Sequence, residues 1–370
     1  MDDGALAFTV SEKKEAWRSH YERLLNEENE WEEESLPNVD PVEGPAIQID
    51  SSLVVKAIKD MKTGKAPGRS GITAEMLKTA GYVSYGLVTR IVNQVVHNGV
   101  IPNDWRSSTI VNCYKGKGDA LDRNNYRGIK LLDQVMKVSE KVITNLIRER
   151  ICLDEMQFGF VPGRSTTDAI FLVRQLQEKY LAKDKPLYIA FVDLEKAFDR
   201  VPRSLIWWSM RKLEIEEWLI RAVQALYREA VSKVRIGNEY SEEFRVEVGV
   251  HQGSALSPLL FIIVLQAITE EFKTGCPWEL LYADDLALIA ESLPELEEKF
   301  RVWKQGLESK GLRINVAKTK VLVSSKRYSA HIPSGRWPCS TCRKGTGRNS
   351  IRCTQCKLWT HKRCSNIKGN

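Results

Sequence analysis

The chain has 370 residues, 43% of them hydrophobic and 28% charged, enough for one large or two ordinary globular domains. Its longest apolar run, Leu259 to Leu265, is far too short to span a bilayer, and no basic-then-apolar leader opens the chain; the expected location is intracellular, cytoplasmic or nuclear. The net charge of +7 hides an asymmetry: from residue 301 onward 17 Lys and Arg face one acid, Glu308, a basic tail that predicts a polyanionic partner or serves solubility alone.

Residues 1–34 read as helical, with Trp17, Tyr21, Leu24 and Leu25 at helical spacing before the acid-rich run Glu27 to Glu34. The three prolines of 37–45 mark a linker. Ser51 or Ser52 is the expected cap of a helix through Met61, with Leu53, Val54, Ala57 and Ile58 on its buried face. The loop TGKAPGRSG (63–71) could hold phosphate through backbone N–H groups and Lys65 or Arg69; it lacks P-loop spacing, and a plain loop is the other reading. Helices are expected over 74–80 and about 85–98. Residues 107–119 predict a strand entering a basic turn, and 125–151 a short strand or loop and then an amphipathic helix. Residues 158–170 predict a Pro-Gly turn before a helix capped by Ser165 or Thr166.

Leu187 to Val192 are nearly all apolar, as in a strand buried on both faces, and Asp193 stands at the end. Two helices fill 203–229, and 231–248 reads as a hairpin turning at Gly237-Asn238. A Gly-punctuated loop then opens a hydrophobic helix with Pro258 in its first turn. Leu280 to Tyr282 and Leu286 to Ile289 read as paired strands exposing Asp284 and Asp285 at the turn. Ser292 and Glu295 have capping-box spacing for a helix with Leu296, Phe300, Trp303 and Leu307 on one face, ended by Gly311. Residues 312–323 return as a strand with three polar interruptions.

Three acids therefore stand at the ends of apolar strands. If the strands are neighbours, Asp193 converges on Asp284 and Asp285. Carboxylates with no matching His cluster suit Mg²⁺, and two such ions about 3.5–4 Å apart can activate a hydroxyl and stabilise a leaving pyrophosphate. Any one of these acids alone reads more simply as a turn aspartate.

The motifs NYRGIKLL, QFGFVPGRSTTDAI, FVDLEKAFDRV, GVHQGSALSPLLF, LLYADDLALIA and GLRINVAKTK, in this order over about residues 105–323, resemble a reverse transcriptase of the non-LTR, LINE-like retrotransposon class. KTGKAPGRSGITAEMLK resembles the extension that precedes the core in such elements. The resemblance implies an RNA-directed DNA polymerase with an α+β right-hand fold, fingers and an antiparallel palm sheet. It implies Mg²⁺ held by Asp193 and Asp284, with Asp285 in support. Lys115 and Arg127 match residues that hold the incoming triphosphate, or they are surface cations. Phe198 matches the aromatic that clashes with a ribose 2′-OH, or it is core. Gln252 would contact nucleotide or template, with Gly253 allowing close approach. Lys318 would give a proton to pyrophosphate or hold the fold, with Lys320 competing for that role. Arg164 would touch the template backbone. The implied partners are an RNA template, a DNA primer and dNTPs.

In the tail, Cys339-x₂-Cys342, Cys353-x₂-Cys356 and His361-x₂-Cys364 have zinc-ligand spacing. The run around Trp359 resembles a PHD-type finger, which implies one Zn²⁺ site of Cys339, Cys342, His361 and Cys364 and half of a second at Cys353 and Cys356. A single site of Cys339, Cys342, Cys353 and Cys356 is the simpler alternative. Contact with nucleic acid or chromatin would follow. The remaining cysteines, Cys113, Cys152 and Cys276, read as scattered and reduced. The expected segments are a helical N-terminal segment and linker (1–45), an extension to the fingers (46–104), fingers and palm (105–328) and a partial finger (336–370). No endonuclease region precedes the core and no thumb follows it, so the chain reads as a fragment with weak synthesis.

Overall fold

The computed structural model describes residues 7–275 and 278–325, and the backbone of 350–352 and 359–361. In chain order the elements are α1 (Val10–Leu24), α2 (Ser51–Lys59), α3 (Ala74–Thr79), α4 (Gly81–Asn98), β1 (Ser107–Tyr114), β2 (Tyr126–Leu131), α5 (Gln134–Arg148), α6 (Thr166–Ala182), β3 (Leu187–Asp193) and α7 (Ala197–Arg200). Then come α8 (Arg203–Lys212), α9 (Glu217–Tyr227), β4 (Val231–Ile236), β5 (Glu239–Tyr240), β6 (Phe244–Arg245), α10 (Ser257–Thr269), β7 (Glu279–Tyr282), β8 (Asp285–Ala290), α11 (Leu293–Glu308), β9 (Lys320–Ser324), β10 (Ser350–Arg352) and β11 (Trp359–His361).

The fold is α+β, built on two larger sheets. The first has the order β7-β8-β3-β9 and is antiparallel throughout. On one face Ala190, Val192, Leu286 and Leu288 join the large core with α8, α9 and α10. Helix α10 is buried nearly all round, as its continuous apolar sequence requires. On the other face Leu187, Ile189, Ala287 and Ile289 meet Ala169, Leu172, Val173 and Leu176 of α6. That cover is thin. No residue of α6 is buried, and Phe191 is 42% exposed beside a cavity of about 590 Å³. The strand expected to be buried on both faces is therefore buried fully on one only.

The second sheet has the order β2-β1-β4-β5, with β6 also on β4. Strands β1 and β4 run parallel, joining segments more than a hundred residues apart. Helix α1 covers this sheet through Tyr21, Leu24 and Leu25, which pack with Ile110, Val234, Phe244 and Val246.

Several local expectations change. Helix α1 stops at Leu24, and the acid-rich run after it is docked: buried Asn29 donates to the Gly311 carbonyl at 2.8 Å. Asp50, not Ser51 or Ser52, caps α2 by accepting from the Ser52 N–H at 2.8 Å. Its carboxylate also complements the helix dipole. Ser165 caps α6 in a full capping box with Asp168. Ser292 caps α11, but Glu295 reaches back to the Glu291 N–H rather than to Ser292. Residues 312–319 are not strand apart from a bridge of Ile314 to Leu194. Asn315 folds them into a turn by accepting from the Lys318 and Thr319 N–H groups. The strand begins only at Lys320.

Among the described residues no helix is long and apolar enough to cross a membrane. Cys276 and the tail's zinc ligands lie outside the described residues, except for the His361 backbone, which pairs with Ser350.

Candidate active site

The β7–β8 hairpin and the end of β3 build the site. Register places Asp193 directly opposite Asp285 across the β3–β8 ladder. Directly opposite residues share a sheet face, so both side chains stand on the side of Phe191 and Ala287. Asp284 is the second residue of the two-residue turn between Tyr282 and Asp285. The three acids named from sequence are thus brought to one sheet end.

Their electrostatics show mutual repulsion. Burial raises the Asp284 carboxyl above its ordinary range, and the Asp193 charge raises it further. Asp285 is raised by burial and then by Asp284 and Asp193. The Lys318 ammonium lies 3.0 Å from Asp193 Oδ2 without hydrogen-bond alignment, so that buried oxygen has no hydrogen-bond partner. The backbone beyond β3 holds Lys318 there, because the Asn315 N–H donates to the Asp193 carbonyl at 2.8 Å.

Among the described residues no group of three His, Cys, Asp or Glu side chains is closed tightly enough to hold a metal ion as it stands. The donor set nevertheless fits a hard divalent cation. It offers carboxylate oxygens only, one of them buried and unsatisfied, and like-charged neighbours that a cation would relieve.

Two further cations come from the second sheet. Lys115 follows β1, and its ammonium donates to the Asn124 carbonyl at 2.8 Å. Arg127 lies on β2 opposite Cys113 and is exposed. The Lys115 ammonium is pushed down by burial first, then by the charges of Arg127 and Lys318. Arg127 and Lys318 also act on Asp284 in the opposite sense to Asp193. Lys115, Arg127 and Lys318 therefore share one field with the carboxylates, whereas Lys320 turns to the Ala317 carbonyl at 3.3 Å.

Phe198 is half-buried, stacked on Phe261 at 4.5 Å with Phe160 edge-on at 6.2 Å. Both expectations for it, core and gate, remain compatible with that placement. Gln252 donates through Nε2 to Asp199 Oδ1 at 2.7 Å, and its carbonyl accepts from the Lys130 N–H at 2.7 Å. Gly253, at φ +115°, allows a close approach to the Lys130 carbonyl, which an added Cβ would meet at 2.6 Å. The neighbour demanding that glycine is thus strand β2. Arg164 is used inside the protein: its Nη1 donates to the carbonyls of Asp154, Glu155 and Gln157 at 2.6, 3.0 and 2.7 Å.

Residues passed over in the sequence also enter the site. Asp199 orients Gln252. Lys130 is buried and its ammonium is pushed down to about 7 by burial and by Arg203, with Asp199 opposing. Its signal was a lone lysine in the apolar run Ile129 to Leu132. Gln157 contacts the carboxylate turn; its signal was its place at the head of the motif QFGFVPGRSTTDAI.

The reverse transcriptase (RNA-dependent DNA polymerase) family matches residues 115–344. Similar proteins include the Retrovirus-related Pol polyprotein from type-1 retrotransposable element R2 of Nasonia vitripennis, 26% identical over 75% of this chain and 27% of its own length. The probable RNA-directed DNA polymerase from transposon BS of Drosophila melanogaster is 26% identical over 74% of this chain and 31% of its own. The RNA-directed DNA polymerase from mobile element jockey of the same fly is 24% identical over 85% and 37%. The chain thus spans 27–37% of the length of these relatives. A solved structure of apo telomerase from Candida tropicalis, truncated from its C-terminal domain, aligns with a TM-score of 0.44 and 14% identity over 71% of this chain and 56% of that one. With its motifs matched over more than half its length, the chain belongs to the reverse transcriptase (RNA-dependent DNA polymerase) family.

Proposed function

We propose that the chain is the catalytic region of a retrotransposon RNA-directed DNA polymerase, which adds dNTPs to a primer 3′-OH on an RNA template. The observation that carries this is the meeting of Asp193, Asp284 and Asp285 at one sheet end, within the field of Lys115, Arg127 and Lys318. The first sheet would be the palm and the second would belong to the fingers. Asp193 and Asp284 would hold two Mg²⁺, with Asp285 in support. When bound, the ions supply an activated 3′-oxygen nucleophile and neutralise charge on the leaving pyrophosphate.

The protein's part is positioning and charge. Lys115 and Arg127 would bind the triphosphate. Lys318, beside Asp193, would hold a proton within reach of the pyrophosphate. Phe198, backed by Phe261, would leave no room for a 2′-OH. Gln252 would present Oε1 to the nucleotide, since Asp199 holds its Nε2. In the tail, Cys339, Cys342, Cys353, Cys356, His361 and Cys364 would bind Zn²⁺ and add contact with nucleic acid or chromatin, a reading that rests on their spacing.

Primer extension with Mg²⁺ and dNTPs on an RNA template tests this. Asp284→Ala should cost at least about 10²–10³-fold, the range for removing a group that stabilises transition-state charge, with the circular dichroism spectrum unchanged. Extension surviving Asp284→Ala would overturn the assignment. Nucleic-acid binding with no extension would favour a non-catalytic relic.

A further inference from the structure

We propose that Gln157 is a positioning residue for the carboxylate turn, acting through Ala283; this deepens the polymerase reading and rests on it. Asp284 sits beside a backbone oddity. Ala283, first residue of the hairpin's two-residue turn, has φ +57°, a conformation that hairpin turns normally give to glycine. A residue with a Cβ stays there only when its surroundings leave no alternative.

The segment before α6 supplies those surroundings. Gln157 is buried, and its Oε1 accepts from the Ala283 N–H at 3.2 Å. The same oxygen accepts from the Gly159 N–H at 2.9 Å, which fixes the amide's direction. On either side the main chains are tied together: Phe158 N–H donates to the Leu281 carbonyl at 2.8 Å, and Leu281 N–H to the Met156 carbonyl at 2.9 Å. Gly159 lies so close that an added Cβ would stand 2.3 Å from Ala283 N. Behind it, the Arg164 guanidinium gathers the carbonyls of Asp154, Glu155 and Gln157. Residues 154–160 thus form a rigid bed under the turn, and Gln157 is the side chain that reaches through to the strained residue. Because Asp284 follows Ala283 directly, its carboxylate goes where that φ sends it.

The readouts are amide exchange at Ala283 by NMR, binding of Mn²⁺ as a visible divalent probe, and extension kinetics. In the unmodified chain the Ala283 amide should exchange slowly although it lies in a turn; exchange at the unfolded rate overturns the proposal whatever the variants do. Gln157→Ala should speed that exchange at least about tenfold while β8 stays protected. Mn²⁺ binding should weaken by about 10–100-fold, as for loss of a group that orients a ligand. The kcat should fall with KM for dNTP little changed. Adding Ala283→Gly should restore part of the Mn²⁺ affinity, because glycine takes the positive φ without steric cost. If Gln157→Ala does not fold, Gln157→Met keeps the volume and removes the acceptor. A folded variant lacking the acceptor with normal Ala283 exchange and normal Mn²⁺ binding sinks the idea. Failure of the polymerase reading looks different: extension indifferent to Asp284→Ala, with the exchange result intact.

Discussion

At the scale of single residues, the site carries a stability cost that comes from its chemistry. Asp284 has a raised pKa in the folded chain, first through burial and then through Asp193. A raised folded pKa means the stabilised form is the protonated one. That stability is present below the ordinary carboxylate range and is lost as pH rises through the raised value. Asp284→Asn mimics the protonated form, so at pH 7 without divalent cations it should raise the melting temperature, on the order of 1–3 °C for a change of ~1 kcal/mol or less in a chain this long. The gap should close as pH falls through the carboxylate range, and Mg²⁺ should narrow it by stabilising only the parent chain. Thermal melts at pH 4 and 7, with and without Mg²⁺, check this; a lower melting temperature for the variant at pH 7 contradicts it. Under the proposed function Phe198 would carry two duties on one ring. Phe198→Val should relax discrimination against rNTPs by roughly 10–100-fold. It should also cost about 1–2 kcal/mol through the lost stack on Phe261. Single-nucleotide incorporation and urea melts separate the two effects.

At the scale of elements, glycines mark where backbones meet. Gly159→Ala places a methyl 2.3 Å from Ala283 N and 2.8 Å from the Tyr282 carbonyl carbon, both main-chain atoms, so the carboxylate turn must move. A displacement near 1 Å at a catalytic group can cost about 10²-fold, which is the expected fall in extension. Gly86, exposed within α4 with nothing near its missing Cβ, is the contrasting case. Gly86→Ala should stabilise by about 0.8–1 kcal/mol and leave extension unchanged. The same contrast explains what the sequence revealed. The β7–β8 hairpin was legible because two apolar runs flank two acids, and α10 because thirteen residues offer almost nothing polar. Asp193 was legible as the residue where an apolar strand stops. Gln157 was visible only as the head of a motif; its role was not, because its partner Ala283 lies 126 residues away. The parallel pairing of β1 with β4 was hidden for the same reason. Residues 312–319 misled because their alternating apolar positions suit a strand, while the turn built by Asn315 wins through its own hydrogen bonds.

At the scale of the whole molecule, the carboxylates and Lys318 belong to the first sheet while Lys115 and Arg127 belong to the second, so their meeting depends on what joins the sheets. One joint is the loop 249–254, whose Val250 N–H donates to the Phe198 carbonyl and whose Gln252 carbonyl accepts from Lys130. Helix α1 comes from the start of the chain to cover the second sheet and braces the strands that carry the cations. Its Tyr21 is 2% exposed and presses on Gly128, where an added Cβ would come 2.5 Å from the ring, one residue from Arg127. The Tyr21 hydroxyl is buried with no partner, so what the residue contributes is its ring. Tyr21→Phe should therefore be neutral or slightly stabilising, since it removes an unsatisfied group. Tyr21→Ala should lose about 3–5 kcal/mol, as other large-to-small core changes do. Because the lost packing lies under β2, it should also raise KM for dNTP through Arg127 while the palm carboxylates stay in register. Urea midpoints for the three chains, read alongside KM, decide the matter. If Tyr21→Ala unfolds no more easily than Tyr21→Phe, α1 is a passenger on the second sheet and does not hold Arg127 in place.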